Sequence, residues 1–312
     1  MLSKNSKIFL AGHRGMVGSA ILRKLKLEKY KNLILIEKKK LDLLDQKKVY
    51  AFLKKKKPQV VIIAAARVGG ILANYKNKAG FIYENLQVQN NLIHGSYLTG
   101  VKNLLFLGSS CIYPKNINKP ISENMLLTGK LEETNDAYAI AKIAGIKLCE
   151  SYNFQYGMNY KCLMPTNTFG PGDNYDENDS HFLPALIKKI HHIKKSKNKN
   201  IYLWGNGKAK REVIFVDDLA DAIVYFLNKK TKHFLINVGS GIEKTIKDYS
   251  RIVSKALNTK INIVYVKKNL NGTPRKLLDL SLSKKYGWKS KLKLVPSIKK
   301  TYEDFIKNIN EN

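Results

Sequence analysis

Residues 7–25, KIFLAGHRGMVGSAILRKL, decide the fold. Lys7, Ile8, Phe9, Leu10 and Ala11 form a short apolar run ending at Gly12, the pattern of a buried strand. Gly12-x-x-Gly15-x-x-Gly18 follows, and residues 19–25 have helical spacing. Glycines there permit a tight turn and close backbone approach to a pyrophosphate. The next helix N-terminus offers its unpaired N–H groups to that negative charge. Such a glycine pattern is weak alone and strong between a strand and a helix. The competing reading, a merely glycine-rich turn, does not explain that placement.

Working outward, apolar runs at 33–36, 60–65, 104–107 and 160–164 read as further strands. Helical patterns at 49–57, 81–98 and 134–150 fall between them, the first closing before Pro58. Alternating strands and helices imply an α/β fold with a doubly wound parallel Rossmann sheet and right-handed crossovers. The pattern loosens after Pro165. A loop at 170–174 and an acidic stretch at 176–179 precede a helix at 181–194. Short strands follow at 201–204, 213–215, 234–238 and 261–266, then a loop at 271–279 and a helix from Pro296. Residues 1–165 are therefore expected to be a dinucleotide-binding domain, with elements from about 208–240 returning to it. Residues 166–312 are expected to be mainly a smaller substrate-binding α/β region.

The net charge is +32, from 56 basic against 24 acidic residues. Nucleic acid is the partner such a charge first brings to mind. Yet only six of the basic residues are arginine, and the lysines are scattered without aromatic interleaving. We read a general lysine bias on solvated faces and expect no nucleic-acid partner. Against that background a retained arginine points to a need for its planar fork. No apolar run is long enough to span a membrane. The N-terminus runs straight into the first strand without a signal-peptide pattern. Three widely spaced cysteines, Cys111, Cys149 and Cys162, suit a reducing cytoplasm and fit neither a disulfide framework nor a zinc site.

Four groups of residues carry chemistry. Tyr138 and Lys142 are four apart on the 134–150 helix and share a face. A fixed ammonium beside a phenol favours the phenolate and brings it into range for acid–base work. Ser109 and Cys111 directly follow the strand at 104–107, where ligands of a doubly wound sheet bind. Ser109 can donate to a substrate carbonyl. Cys111 is either a thiolate base or a small buried hydrophobe, and the residue pattern leaves both open. His181 follows a polar loop and opens a helix, as a titrating or a capping histidine would. His191, His192 and His233 lack such context and read as structural. Trp204, Arg211 and the loop at 271–275 form a scattered set. Arg suits a phosphate and Trp a base, so together they point to a nucleotide-diphosphate handle. Glu37, about 20 residues past the glycines, sits where an acid would bind a ribose 2′-hydroxyl and favour NAD. Arg14 in the loop and Lys38, Lys39 and Lys40 after Glu37 favour the extra phosphate of NADP, and Arg14 tips the balance toward NADP.

The glycine loop, AAARVGG at 64–70, GSSCIYP at 108–114, the helix at 138–150, residues 165–167 with Gly170 and Pro171, and GTPRKLLD at 272–279 together resemble the GDP-L-fucose synthase family. That family is a branch of the extended short-chain dehydrogenase/reductases, and the resemblance covers nearly the whole chain. It implies NADPH-dependent conversion of GDP-4-keto-6-deoxy-D-mannose by C3 and C5 epimerisation, then C4 reduction. It implies Ser109, Tyr138 and Lys142 for the reduction, with Cys111 and His181 as base and acid for the epimerisations. By the same likeness Gly12, His13, Arg14, Gly15, Met16, Val17, Gly18 and Lys38 would bind the NADP(H). So would Leu107, Gly108, Ser109, Ser110, Lys142, Pro165, Thr166, Asn167, Thr168 and His181. Lys189, Trp204, Arg211 and Asn271 would hold the GDP-sugar, with no metal, in a cytoplasmic homodimer.

Two other readings remain open on sequence grounds. One is an NAD-dependent nucleotide-sugar 4-epimerase or 4,6-dehydratase of the same fold. The other is a non-catalytic NADP-sensing or polyanion-binding protein, raised by the net charge.

Overall fold

The computed structural model describes residues 2–176, 179–194, 196–266 and 273–310. In chain order it begins with β1 (Ile8–Ala11), α1 (Met16–Leu27), β2 (Leu33–Ile34), α2 (Gln46–Lys56) and β3 (Val60–Ile63). Next come α3 (Ile71–Lys76), α4 (Lys78–Leu98), β4 (Asn103–Leu107), α5 (Asp136–Tyr156) and β5 (Asn159–Pro165). A single 3₁₀ turn at Ser110–Ile112 leaves the end of β4. The remainder is β6 (Asn167–Phe169), α6 (Phe182–Lys194), β7 (Asn200–Trp204), β8 (Lys210–Phe215), α7 (Val216–Asn228) and β9 (Leu235–Val238). It closes with β10 (Glu243–Thr245), α8 (Ile246–Ala256), β11 (Asn262–Val266), β12 (Arg275–Lys276), α9 (Ser281–Lys285) and α10 (Leu294–Asn310).

Six parallel strands form the main sheet in the order β2-β1-β3-β4-β5-β9. Every residue of β1 and β3 is buried, as a sheet covered on both faces demands. Alternation along β1 sends Ile8 and Leu10 into one apolar layer and Phe9 and Ala11 into the other. The first layer is shared with α1 and α7, the second with α4 and α5. Ion pairs Arg23–Asp217 (2.7 Å) and Lys24–Asp221 (2.7 Å) fasten α7 to α1. The winding reverses between β1 and β3, which places the topological switch point at the carboxyl end of β1.

β8 anchors a second sheet. It pairs with β10 and β12, and β6 lies along it in parallel. β7 and β11 form a separate parallel pair. The two halves are joined by buried polar knots. Glu212, fully buried on β8, accepts from Gly241 N (2.7 Å) and Leu278 N (2.9 Å). Asn237 on β9 donates to Ile121 O (2.9 Å) and accepts from Tyr113 Oη (2.6 Å). Those bonds draw the segment after Cys111, β9 and the chain after β12 to one place.

Several boundaries differ from the sequence expectation: β8 starts at Lys210 instead of 213, β12 lies within the expected 271–279 loop, and β2 and α5 change most in length. β2 is two residues long instead of four. α5 runs on to Tyr156, where Gly157 at φ +63° ends it. The added turn, residues 151–156, holds Tyr, Asn and Phe, weak helix formers in isolation. Burial of Tyr152 among Tyr97, Tyr156 and Tyr160 supplies what propensity lacks.

Candidate active site

The glycine loop lies between β1 and α1. Gly12 has φ +87°, and a Cβ there would sit 2.6 Å from Ala65 N at the end of β3. A Cβ on Gly18 would come within 2.0 Å of Gly12 O. Both glycines are required by the protein's own backbone. Gly15 differs: a Cβ on it would meet only Gly12 O, at 3.6 Å. It is exposed, caps α1 without a side-chain acceptor, and no acid stands in the first turn. The positive end of α1 therefore opens to an outside anion. Arg14, beside it, is ion-paired to Glu37 past the end of β2, and Lys38 is exposed next to that pair. These groups fit a dinucleotide carrying a 2′-phosphate.

The carboxyl ends of β4 and β5 gather the chemistry. Lys142 on α5 is 3% exposed, and its Nζ donates to Leu107 O (2.9 Å) at the end of β4. It lies 5.7 Å from the Tyr138 ring centroid and 4.6 Å from that of Phe106. Burial pulls its pKa down to about 8. Tyr138, half-buried and edge-on to Phe81, has its pKa raised, first by burial and then by the Cys111 sulfur. The sequence led to the opposite expectation, a phenol eased toward ionisation by Lys142. Here desolvation wins, and burial favours the protonated phenol.

Ser109 caps the 3₁₀ turn, its Oγ accepting from Cys111 N (3.4 Å). Cys111 is 5% exposed, and burial raises its thiol pKa. Lys276, Ser109 and Lys142, in that order, oppose the rise. His181 stands just before α6. It keeps surface exposure but is crowded enough that lost hydration lowers its pKa. Lys276 adds to that lowering and Asp179 opposes it. Ser109, Cys111, Tyr138, Lys142 and His181, drawn from three separate segments, thus share one neighbourhood.

The remaining expected cofactor residues line the same edge. Ser110 is buried in the turn, Gly108 N bonds to Leu163 O (3.0 Å), and Pro165 ends β5. Thr166 Oγ1 donates to Glu212 O (3.0 Å), and Asn167 and Thr168 begin β6. Of the expected substrate residues, Arg211 lies on β8, where burial lowers its pKa and Glu132 opposes. Trp204 ends β7 with 41% of its surface exposed. Lys189 on α6 donates to Tyr202 O (3.0 Å), two residues before Trp204. Asn271 lies outside the described residues. His191 bonds to Tyr302 Oη (2.9 Å) and His233 to Tyr286 Oη (2.6 Å), away from this edge. Among the described residues no group of His, Cys, Asp and Glu has the arrangement of a metal site.

Sequence reasoning missed Lys276 and Glu132. Glu132 is 6% exposed and accepts from Thr134 N (3.3 Å) and Thr134 Oγ1, with Lys115 Nζ at 3.6 Å. Its charge acts on both Arg211 and Lys276. Nothing in the sequence sets Glu132 apart from the other acids, because its burial arises only in the fold. Lys276 was hidden among fifty lysines.

The model of the NAD dependent epimerase/dehydratase family matches residues 8–239. The chain is 47% identical to a GDP-L-fucose synthase of Sinorhizobium fredii, covering 100% of this chain and 99% of that one. It is 43% identical to the GDP-L-fucose synthase of Escherichia coli, covering 97% of each. Among solved structures, a GDP-L-fucose synthetase from Naegleria fowleri bound to NADP superposes with a TM-score of 0.89 at 26% identity. That match covers 99% of this chain and 95% of the other.

Proposed function

The chain belongs to the NAD dependent epimerase/dehydratase family, and we propose from its site that it converts GDP-4-keto-6-deoxy-D-mannose to GDP-L-fucose. It is an NADP-dependent oxidoreductase with epimerase activity. The observation that carries this is the position of Cys111. One capped turn presents both a carbonyl-binding hydroxyl, Ser109, and a thiol, beside the Tyr138–Lys142 pair.

Protons α to the 4-keto group are acidic. Cys111 removes one as thiolate, and His181 supplies one to the opposite face, once at C3 and once at C5. Ser109 and Tyr138 donate to the oxygen on which charge develops. NADPH, when bound, supplies the hydride that reduces C4. Tyr138 then gives its proton to the new alkoxide, and the Lys142 ammonium supports the charge left on the phenol. The glycine loop and the α1 N-terminus hold the pyrophosphate, Arg14 and Lys38 the 2′-phosphate, and residues 107–110 and 165–168 the nicotinamide half. Lys189, Trp204, Arg211 and Asn271 hold the GDP. On this assignment residues 1–165 with the returning 208–240 elements serve the dinucleotide, and residues 166–312 mainly the sugar nucleotide.

We further read the protein as a cytoplasmic homodimer. The three buried free cysteines support a reducing compartment. Tyr83, Leu98, Ile140 and Phe154, 46–92% exposed on α4 and α5, support a subunit contact there.

The decisive experiment supplies the 4-keto-6-deoxy GDP-sugar and NADPH in heavy water and follows the product by NMR. GDP-L-fucose with deuterium at C3 and C5 is expected. A product lacking deuterium at both carbons would defeat the double epimerisation.

A further inference from the structure

We propose that Lys276 is a positioning residue for the epimerisations: it is the counter-ion against which the Cys111 thiolate forms. This rests on the reading of Cys111 as the base.

The strand geometry aims Lys276 at Cys111. β12 lies parallel to β8 with Arg275 opposite Lys210 and Lys276 opposite Arg211. Arg275 turns to Glu243, making Nε–Oε2 (2.9 Å) and Nη2–Oε1 (2.6 Å) bonds. Alternation then puts Lys276 on the other side of the chain, the side that Leu278 shares. Leu278 bridges to Ile121 and packs in the same apolar cluster as Cys111, Ile112 and Tyr113. The register is fixed. Leu278 N is held by Glu212 Oε2 (2.9 Å) and Asp279 N by Ile121 O (2.8 Å).

The charges around the thiol assign the task. Cys111 is faced by Ser109 from its own turn, by Tyr138 and Lys142 from α5, and by Lys276 from β12. Lys142 is already committed to Leu107 O and to Tyr138. Of the two cations, Lys276 acts on Cys111 more strongly. Its own neighbours are Cys111, Arg211 and Glu132. Burial, then Arg211, lower the Lys276 pKa, and Cys111 and the buried carboxylate of Glu132, which also pairs with Lys115, oppose that fall. Lys276 also acts on His181, whose remaining charged neighbour is Asp179. One cation therefore eases proton loss from both the base and the acid. Each epimerisation moves a substrate proton to Cys111 and takes one from His181. The pair is reset by proton return through water.

Lys276→Met should raise the pH at which both groups titrate, displacing both limbs of the activity profile in the same direction. The first measurement needs no substrate. The ultraviolet absorbance of the thiolate is titrated in wild type, Lys276→Met and Lys276→Arg, with Cys111→Ser subtracting Cys149 and Cys162. Folding is checked by NADPH binding. The Cys111 midpoint should rise by about one pH unit in Lys276→Met and hold in Lys276→Arg. Lys276→Gln replaces Lys276→Met if the latter does not bind NADPH. An unmoved midpoint in a folded neutral variant overturns the proposal. So does a raised KM with an unmoved pH profile for deuterium exchange at C3 and C5, which would mark Lys276 as a substrate anchor alone. If the midpoint moves but Cys111→Ser still exchanges deuterium, the counter-ion stands and Cys111 is not the base.

Discussion

Arg14 of the glycine loop is ion-paired to Glu37 beyond the end of β2. The two residues argue for different cofactors when read singly, an arginine for a 2′-phosphate and an acid for a 2′-hydroxyl. Joined, they make a competition. A 2′-phosphate must draw the guanidinium away from the carboxylate, at small cost because both side chains are substantially exposed. Glu37→Gln should therefore tighten NADPH binding several-fold and widen the preference over NADH. Arg14→Ala should narrow that preference by about tenfold, the scale of a lost charge-assisted phosphate contact. Fluorescence titration with both nucleotides measures the ratio, and a ratio unchanged in both variants would remove Arg14 from the phosphate site.

Lys142 is charged below its pKa of about 8 and neutral above it. If the ammonium supports charge on Tyr138 during reduction, the reduction rate falls as pH rises through about 8. Tyr138→Phe should lower that rate by ~10²–10⁴-fold, the usual span for a lost proton donor. Its NADPH affinity should stay near that of wild type. Stopped-flow NADPH oxidation across pH checks both, and a rate flat from pH 7 to 9 would contradict the role of Lys142.

The Ser109–Cys111 turn can be split by chemistry. Cys111→Ser should cut deuterium exchange at C3 and C5 by ~10²-fold or more. Reduction of a keto-sugar already in the final configuration should fall far less. Equal losses in the two assays would count against Cys111 as the base.

Lys161 on β5 carries a different kind of prediction. It is 5% exposed and donates to Phe226 O (2.8 Å) and Lys229 O, capping the end of α7. Burial lowers its pKa from 10.5 to about 8. The folded state thus holds its proton less tightly than the unfolded state. By linkage, the Lys161 contribution to stability rises with pH between about 8 and 10.5. Urea denaturation at several pH values should show wild type gaining on Lys161→Met across that window. A constant difference would mean that Lys161 titrates alike in both states.

Much of this was legible because it is local. The apolar runs of β1 and β3, the glycine loop and the i,i+4 spacing of Tyr138 and Lys142 each lie within one element. The strand ends then bring Ser109 and Cys111 to the same edge through a rule of sheet topology. Lys276 was not legible, because its importance arises from a pairing of β12 with β8, 60 and more residues apart in sequence, and Glu132 was not, because its burial beside those strands arises only in the fold. The ionisation of Tyr138 was misjudged for a related reason. A neighbouring charge can be inferred from spacing, but the desolvation that outweighs it depends on everything packed around the ring.

The three glycines of the first loop answer to different demands. A side chain at Gly12 or Gly18 collides with backbone, whereas Gly15 has room. A lineage that abandoned its dinucleotide would still have to keep the outer two in order to fold, and could freely lose the middle one. In surveys of divergent relatives, the outer glycines therefore record ancestry. The middle position is the one that the fold itself leaves free to change.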